Sequence, residues 1–152
     1  SWEEYEGDFK SAVSELKGLG IKAGVFGDIY LPEHREWTER VCKELGIEPV
    51  LPLWEKDCED LVLEFTCAGF EAIVVAAKAD LGKDILGKKV DFDLIDELKR
   101  RKIDLCGENG EFHTFVMDGP LFKNRIEIAE TCAVLRDDRW FLDIKEYTTH
   151  EK

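Results

Sequence analysis

The sequence predicts an α/β fold, with a parallel sheet through residue 106 and a smaller, partly antiparallel portion at the C-terminus. Three observations carry this. Strand-length apolar runs alternate with helical periodicities as far as Ala77, and such alternation builds parallel strands joined by right-handed crossovers. Residues 71–77 read Glu-Ala-Ile-Val-Val-Ala-Ala, a continuous apolar run expected of a strand covered on both faces. Beyond residue 107, three extended-looking segments follow without a helical stretch between them, so they pair antiparallel. The change of character sets an α/β portion at 1–106 and a C-terminal portion at 107–152.

Tyr5, Phe9, Val13 and Leu16 recur at helical spacing with charges between them, and Gly18 and Gly20 end the pattern. The short apolar run 23–26 is closed by Gly27-Asp28 and predicts a buried strand with a carboxylate at its end, where ligands of open α/β sheets collect. Gly18, Gly20, Gly24 and Gly27 do not have the G-x-G-x-x-G spacing and precede the strand, so they read as a helix cap and a tight turn. Asp28 is either an ordinary loop or capping aspartate or a contact to a ligand or metal. Pro32 opens a second helix with Trp37, Val41 and Leu45 at i, i+4 and i+8, ending at Gly46. His34 and Arg35 fall in its first turn. Such side chains are commonly just solvated, yet a helix N-terminus beside a strand end also attracts anions, and Arg35 can hold a carboxylate or phosphate there.

Residues 49–54 carry two prolines and predict an edge strand or extended connector. Asp57 opens a helix with Leu61, Phe65 and Ala68 on one face, closed by Gly69. After the strand at 71–77, residues 78–91 hold Gly82, Gly87 and the lysines 78, 83, 88 and 89. A solvated loop is the simpler reading; the other is a loop whose lysines close over phosphates. Phe92, Ile95 and Leu98 outline a helix at 91–101, and 103–106 reads as a short strand. Extended segments then cover 112–117, 125–135 and 140–147, divided by Asp118-Gly119-Pro120 and Asp137-Asp138.

Composition narrows the function. With 34 acidic against 21 basic residues the net charge is -13, a surface that repels phosphate backbones, so broad nucleic-acid binding is not expected. The longest purely apolar run, 72–77, is too short to cross a bilayer, and no charged start followed by an apolar core marks a secretory signal. A cytoplasmic protein is expected. Cysteines 42, 58, 67, 106 and 132 form no C-x-x-C pair and read as buried thiols of a reducing compartment rather than a zinc site, so no metal ligand is named.

The densest chemistry lies in Gly107-Glu108-Asn109-Gly110-Glu111-Phe112-His113-Thr114: two carboxylates, an imidazole and a hydroxyl around two glycines. The glycines and Asn109 allow a tight turn. If the chain runs extended from Glu111, Glu111 and His113 share one face while Phe112 and Thr114 share the other, partly buried one. The plainer alternative is a hairpin-like bend whose acids are solvated.

That stretch, followed by Asp118-Gly119-Pro120-Leu121-Phe122, resembles the signature of the diphthine-ammonia ligase family of PP-loop ATP pyrophosphatases. Gly27-Asp28-Ile29, the segment from Cys42 to Leu45, Pro52-Leu53-Trp54 and Leu86-Gly87-Lys88 match the same family in the same order, so the resemblance covers nearly the whole chain. It implies a parallel sheet of the adenine-nucleotide α-hydrolase type. It also implies diphthamide biosynthesis: ATP, with Mg²⁺, activates the carboxylate of diphthine on translation elongation factor 2, and ammonia displaces AMP, with pyrophosphate also released. On the matched positions, Glu108, Glu111 and His113 are the catalytic candidates, orienting ammonium and removing a proton or binding the diphthine trimethylammonium group. Histidine is the side chain that ordinarily titrates nearest neutrality. Gly27 and Asp28 are the nucleotide candidates; Arg35, Thr114 and Lys88 are the substrate candidates, and the C-terminal portion is the expected substrate-binding part.

The family's Ser-Gly-Gly-Lys-Asp-Ser phosphate loop has no counterpart in the 152 residues, which start at Ser1. The expectation is that the first strand-loop-helix section is missing and that the chain is inactive in isolation. Two other readings stay open: a non-enzymatic module of the same fold that binds a protein such as elongation factor 2, and a related PP-loop enzyme acting on a different substrate. A homo-oligomer is compatible with either.

Overall fold

The computed structural model describes residues 2–152. The chain divides into two compact units at Lys56/Asp57, whereas the change of sequence character at 106/107 falls inside the second unit. The fold is mixed α/β: a two-stranded parallel sheet in the first unit and a four-stranded antiparallel sheet in the second.

The first unit runs α1 (Trp2–Gly18), β1 (Ala23–Val25), α2 (Pro32–Leu45) and β2 (Glu48–Val50). β1 and β2 pair parallel with Ala23 opposite Glu48 and Val25 opposite Val50, and Phe26 N–H extends the ladder to the Val50 carbonyl at 2.9 Å. Val13, Cys42 and Ile47 form the buried centre, flanked by Phe9, Phe26 and Leu45. β1 is not the buried strand that its apolar sequence predicts, since Val25 is 73% exposed. The helices cover only the face that bears Gly24 and Phe26, and alternation turns Ala23 and Val25 away from them. α2 ends as its glycine predicts: Gly46 adopts φ 65°, its N–H reaches the Lys43 carbonyl, and Ile47 N–H reaches that of Cys42. Glu6 ties α1 to α2 by accepting from Arg40 at 2.6 Å, Lys10 at 2.6 Å and Trp37 Nε1 at 2.9 Å. The Arg40 guanidinium, then Lys10, hold its carboxyl well below the usual carboxylate range.

The second unit runs α3 (Cys58–Cys67), β3 (Glu71–Lys78), α4 (Phe92–Arg101), β4 (Phe112–Asp118), β5 (Asn124–Arg136) and β6 (Arg139–Glu151), with sheet order β4-β3-β6-β5. The apolar run at 71–77 is the strand expected, but its neighbours are antiparallel, not parallel. A run of apolar residues reports that both faces are covered and carries no information on the direction of the partner strands. One edge of β3 pairs with β4. The other pairs first with residues 87–90, through Gly87 N–H to Val74 C=O at 2.8 Å, Val74 N–H to Lys88 C=O at 3.0 Å and Val90 N–H to Ala72 C=O at 2.9 Å, and then with β6 at 76–78.

The core of this unit is Val74, Ala77, Ile85, Leu94, Leu98 and Phe112. Asp57 caps α3 by accepting from the N–H groups of Glu59 and Asp60, and Asp91 caps α4 by accepting from Leu94 N–H. The 78–91 segment is not simply a solvated loop: it forms short 3₁₀ turns at Ala79–Leu81 and Lys83–Ile85, and the second drives Ile85 into the core. Asp137 and Asp138, at φ 46° and 60°, make the two-residue turn between β5 and β6, where both central residues need positive φ. No strand forms at 103–106. Asp104 Oδ1 instead accepts from Cys106 N–H at 2.7 Å and Gly107 N–H at 2.9 Å, a local side-chain bond that competes with a ladder. The cysteines are not uniformly buried: Cys42 is, Cys58 and Cys106 are half-buried, and Cys67 and Cys132 are exposed. Among the described residues no helix is long and apolar enough to cross a membrane.

Candidate functional site

The turn at 107–111 is built by its glycines and held from outside by two cations. Gly107 and Gly110 both adopt φ 70°, and Gly110 N–H closes the turn on the Gly107 carbonyl at 2.9 Å. Lys78 Nζ donates to the Asn109 carbonyl at 3.1 Å and Arg139 Nη2 donates to the Gly110 carbonyl at 2.8 Å. Lys78 and Arg139 face each other in register on β3 and β6, so one rung of the sheet supplies both clamps. Lys78 N–H also binds the Glu111 carbonyl at 2.8 Å. With the main chain of the turn engaged, Glu111 Oε2 is buried without a hydrogen-bond partner, as is Nη1 of the clamping Arg139. Such an atom calls for a ligand or other explanation, because an unmet buried acceptor is costly.

Gly107 is irreplaceable on two counts, since a Cβ there would lie 2.9 Å from the Phe112 carbonyl oxygen and φ 70° is strained for any L side chain. Gly107→Ala is expected to lower the stability of this unit by about 1–2 kcal/mol, read as the shift in urea midpoint at constant slope; an unshifted midpoint would contradict this geometry.

The other predicted residues of the motif separate. Glu108 is half-buried on the turn, and its charge acts on the thiols of Cys58 and Cys106. His113 is exposed and lines an open groove of about 530 Å³ with Val75, Phe115, Arg136 and Phe141, on the sheet face away from buried Phe112. Thr114 is exposed rather than sharing the burial of Phe112. β4 is the edge strand, and an irregularity at Val75 interrupts the pairing opposite His113 and Thr114. Lys88 is half-buried with its ammonium on Glu97, whose carboxyl it holds below the ordinary value.

In the first unit, Gly27 has open space where a Cβ would sit. Asp28 is half-buried with Oδ1 3.1 Å from His34 Nδ1, and it is not a helix cap, because Leu31 holds that position without any side-chain bond. Arg35 is engaged locally, bonding Glu39 at 2.7 Å and lying 5.0 Å over the Trp54 ring. An open groove of about 940 Å³ is walled by Tyr5, Phe9, Phe26 and Trp37 and includes Asp28 and His34 in its lining.

Sequence reasoning missed three things here. The Lys78–Arg139 clamp joins residues far apart in the chain, and its only local signal is a lysine ending an apolar strand. The partnership of His34 with Asp28 was signalled by a histidine one helical turn beyond a strand end. The third is a side-chain group in the second unit: one ligand atom each from Cys58, Asp104 and Cys106 lies within 4.8 Å of the others. Burial, more than any neighbouring charge, pushes both thiols up, Cys106 further than Cys58.

Comparison with known proteins matches both units. Residues 1–49 match the family described as the diphthamide synthase N-terminal domain, and residues 57–149 match the diphthamide synthase C-terminal domain, which starts where the second unit starts. The diphthine–ammonia ligase of Rattus norvegicus is 35% identical over 127 residues, covering 80% of this chain and 45% of the relative. The Homo sapiens protein of the same name is 34% identical with the same coverage, and that of Schizosaccharomyces pombe is 36% identical over 72% of this chain and 19% of its own length. The chain therefore spans less than half the length of these relatives.

Proposed function

Because this chain belongs to the diphthamide synthase family, we propose that it supplies part of an ATP-dependent carbon–nitrogen ligase that converts diphthine on translation elongation factor 2 to diphthamide with ammonia, releasing AMP and pyrophosphate. The observation that carries this reading is the buried, unpartnered Oε2 of Glu111 on a turn clamped by Lys78 and Arg139. A fixed carboxylate oxygen with an open acceptor suits an ammonium ion, which brings only donors. Glu111 orients the nitrogen and takes its proton, and Glu108 adds negative charge beside it. His113, exposed on its groove, and Thr114 contact the protein substrate, for which the second unit is the recognition surface. Lys88 and Arg35 contribute charge to substrate binding when released from Glu97 and Glu39.

The first unit fits a nucleotide. Its aromatic groove can take a purine ring, and Gly27 leaves the end of β1 open. The parallel β1–α2–β2 crossover is the part compatible with an adenine-nucleotide α-hydrolase sheet. Gly27 and Asp28 would hold ATP, with Asp28 as the carboxylate offered to Mg²⁺. ATP, when bound, supplies the activation of the diphthine carboxylate. A second reading is a protein-binding module of the same fold without ATP chemistry.

Two measurements separate the readings. The natural protein carrying this chain, given ATP, Mg²⁺, ammonium and diphthine-bearing elongation factor 2, is expected to add an amide detectable by mass spectrometry and to release AMP. Absence of amidation, with calorimetric binding of elongation factor 2 unaffected by ATP, would leave the module reading standing instead.

A further inference from the structure

We propose that Cys58, Asp104 and Cys106 form a binding site for a thiophilic divalent cation of the Zn²⁺ class, joining the start of α3 to the turn that carries Glu108 and Glu111. The three residues come from two separate segments of the second unit, and the fold alone brings them together, with ligand atoms within 4.8 Å of one another. Zinc bonds of about 2.3 Å to sulfur and 2.0–2.2 Å to carboxylate oxygen set neighbouring ligand atoms roughly 3.3–3.8 Å apart. Closing the group on a cation therefore takes ligand-atom shifts of about an ångström, the scale of side-chain rotation.

Each ligand is also oriented. Asp104 Oδ1 is fixed by the N–H groups of Cys106 and Gly107, the outer hydrogen bonding that ligating carboxylates require. The Cys106 thiol already turns toward α3, donating to the Cys58 carbonyl at 3.6 Å. Cys58 is the first residue of α3, a helix start fixed by the Asp57 cap. Asp104 and Glu108 place negative charge near both sulfurs and Asp57 near that of Cys58, a concentration of charge that a dication relieves. Two sulfurs and one oxygen select Zn²⁺ over Mg²⁺ or Ca²⁺. As each metal–sulfur bond forms, the thiol proton leaves to solvent. Three protein ligands leave the fourth position to water. Because Cys106 directly precedes Gly107, occupancy restrains the turn from its N-terminal side. The site stands on these residues whether or not the ligase reading holds.

The test is titration of the full 152-residue chain with Co²⁺ under a phosphine reductant. One equivalent is expected to raise a thiolate-to-cobalt charge-transfer band in the near ultraviolet that one equivalent of Zn²⁺ abolishes. Cys58→Ser and Cys106→Ser should each remove most of the band, whereas Cys67→Ser and Cys132→Ser should leave it. Zn²⁺ should raise the Tm of the parent and not that of Cys58→Ser, whose fold is checked by circular dichroism; serine suits a helix start, so this variant decides the matter if Cys106→Ser does not fold. A parent chain without a saturable band, or a band that follows Cys67 or Cys132, would overturn the assignment.

Discussion

On the ligase reading proposed above, Glu111→Gln in the natural protein carrying this chain lowers kcat/KM for ammonium by about 10²–10⁴-fold, the span expected when a positioned acid or base is removed. Glutamine keeps the length and shape of the side chain, but it replaces an anion by a neutral amide that offers an NH₂ donor where the proposal needs only an acceptor. Because Oε2 has no hydrogen-bond partner within the protein, its loss breaks no internal bond, and the unfolding free energy from urea denaturation should change by less than roughly 0.5 kcal/mol. The affinity for elongation factor 2 should hold, since the exposed groove beside His113 is untouched. Turnover equal to that of the parent enzyme would remove Glu111 from the mechanism.

Leu98→Ala lowers the stability of the second unit by about 2–5 kcal/mol. Leu98 is 1% exposed and packs in one cluster with Val74, Ala77, Ile85, Leu94 and Phe112, so the truncation leaves a void between α4 and the sheet that neither can fill without moving. This is a large share of a domain's usual margin of about 5–15 kcal/mol. Phe112 follows Glu111 directly, and the void also loosens the attachment of the turn to β4, so activity should fall at temperatures where most of the protein is still folded. Chemical denaturation of the variant measures the loss; a value under about 1 kcal/mol would place Leu98 outside the core.

Local chemistry was legible wherever it decides local structure. Asp57 and Asp91 announce α3 and α4 as caps, Gly46 ends α2, and Gly107 and Gly110 mark the turn, because each acts within a few residues of itself. Asp137-Asp138 divides β5 from β6 for the same reason. What depends on distant partners was not legible. The apolar run of β3 gives its burial but not the direction of β4 and β6, and Ile85 enters the core from a segment whose lysines suggest solvent. Residues 103–106 have strand composition, and one aspartate side chain diverts them. No composition shift marks Lys56/Asp57, so the unit boundary was invisible. In the candidate site, Glu108 and Glu111 were legible as unusual acids on a bend, whereas the clamp from Lys78 and Arg139 requires knowing that β3 and β6 are neighbours. Thr114 is exposed because β4 ends the sheet, a fact of strand order that alternation alone cannot supply.

The pairing of β3 on both edges has a consequence for how the protein is made. Every partner of β3 lies later in the chain: residues 87–90, then β4, then β6. The last of them leaves the ribosome about 60 residues after β3, which at 5–20 residues per second is roughly 3–12 s of synthesis. Until residues 87–90 and then β4 emerge, Ala-Ile-Val-Val-Ala-Ala has no partner strand, its β6 edge stays open to the end of the interval, and it has the composition that self-associates. The two strands of the first unit, by contrast, pair within residues 23–50, before β3 is made. The nascent second unit is the stretch for which chaperone protection matters.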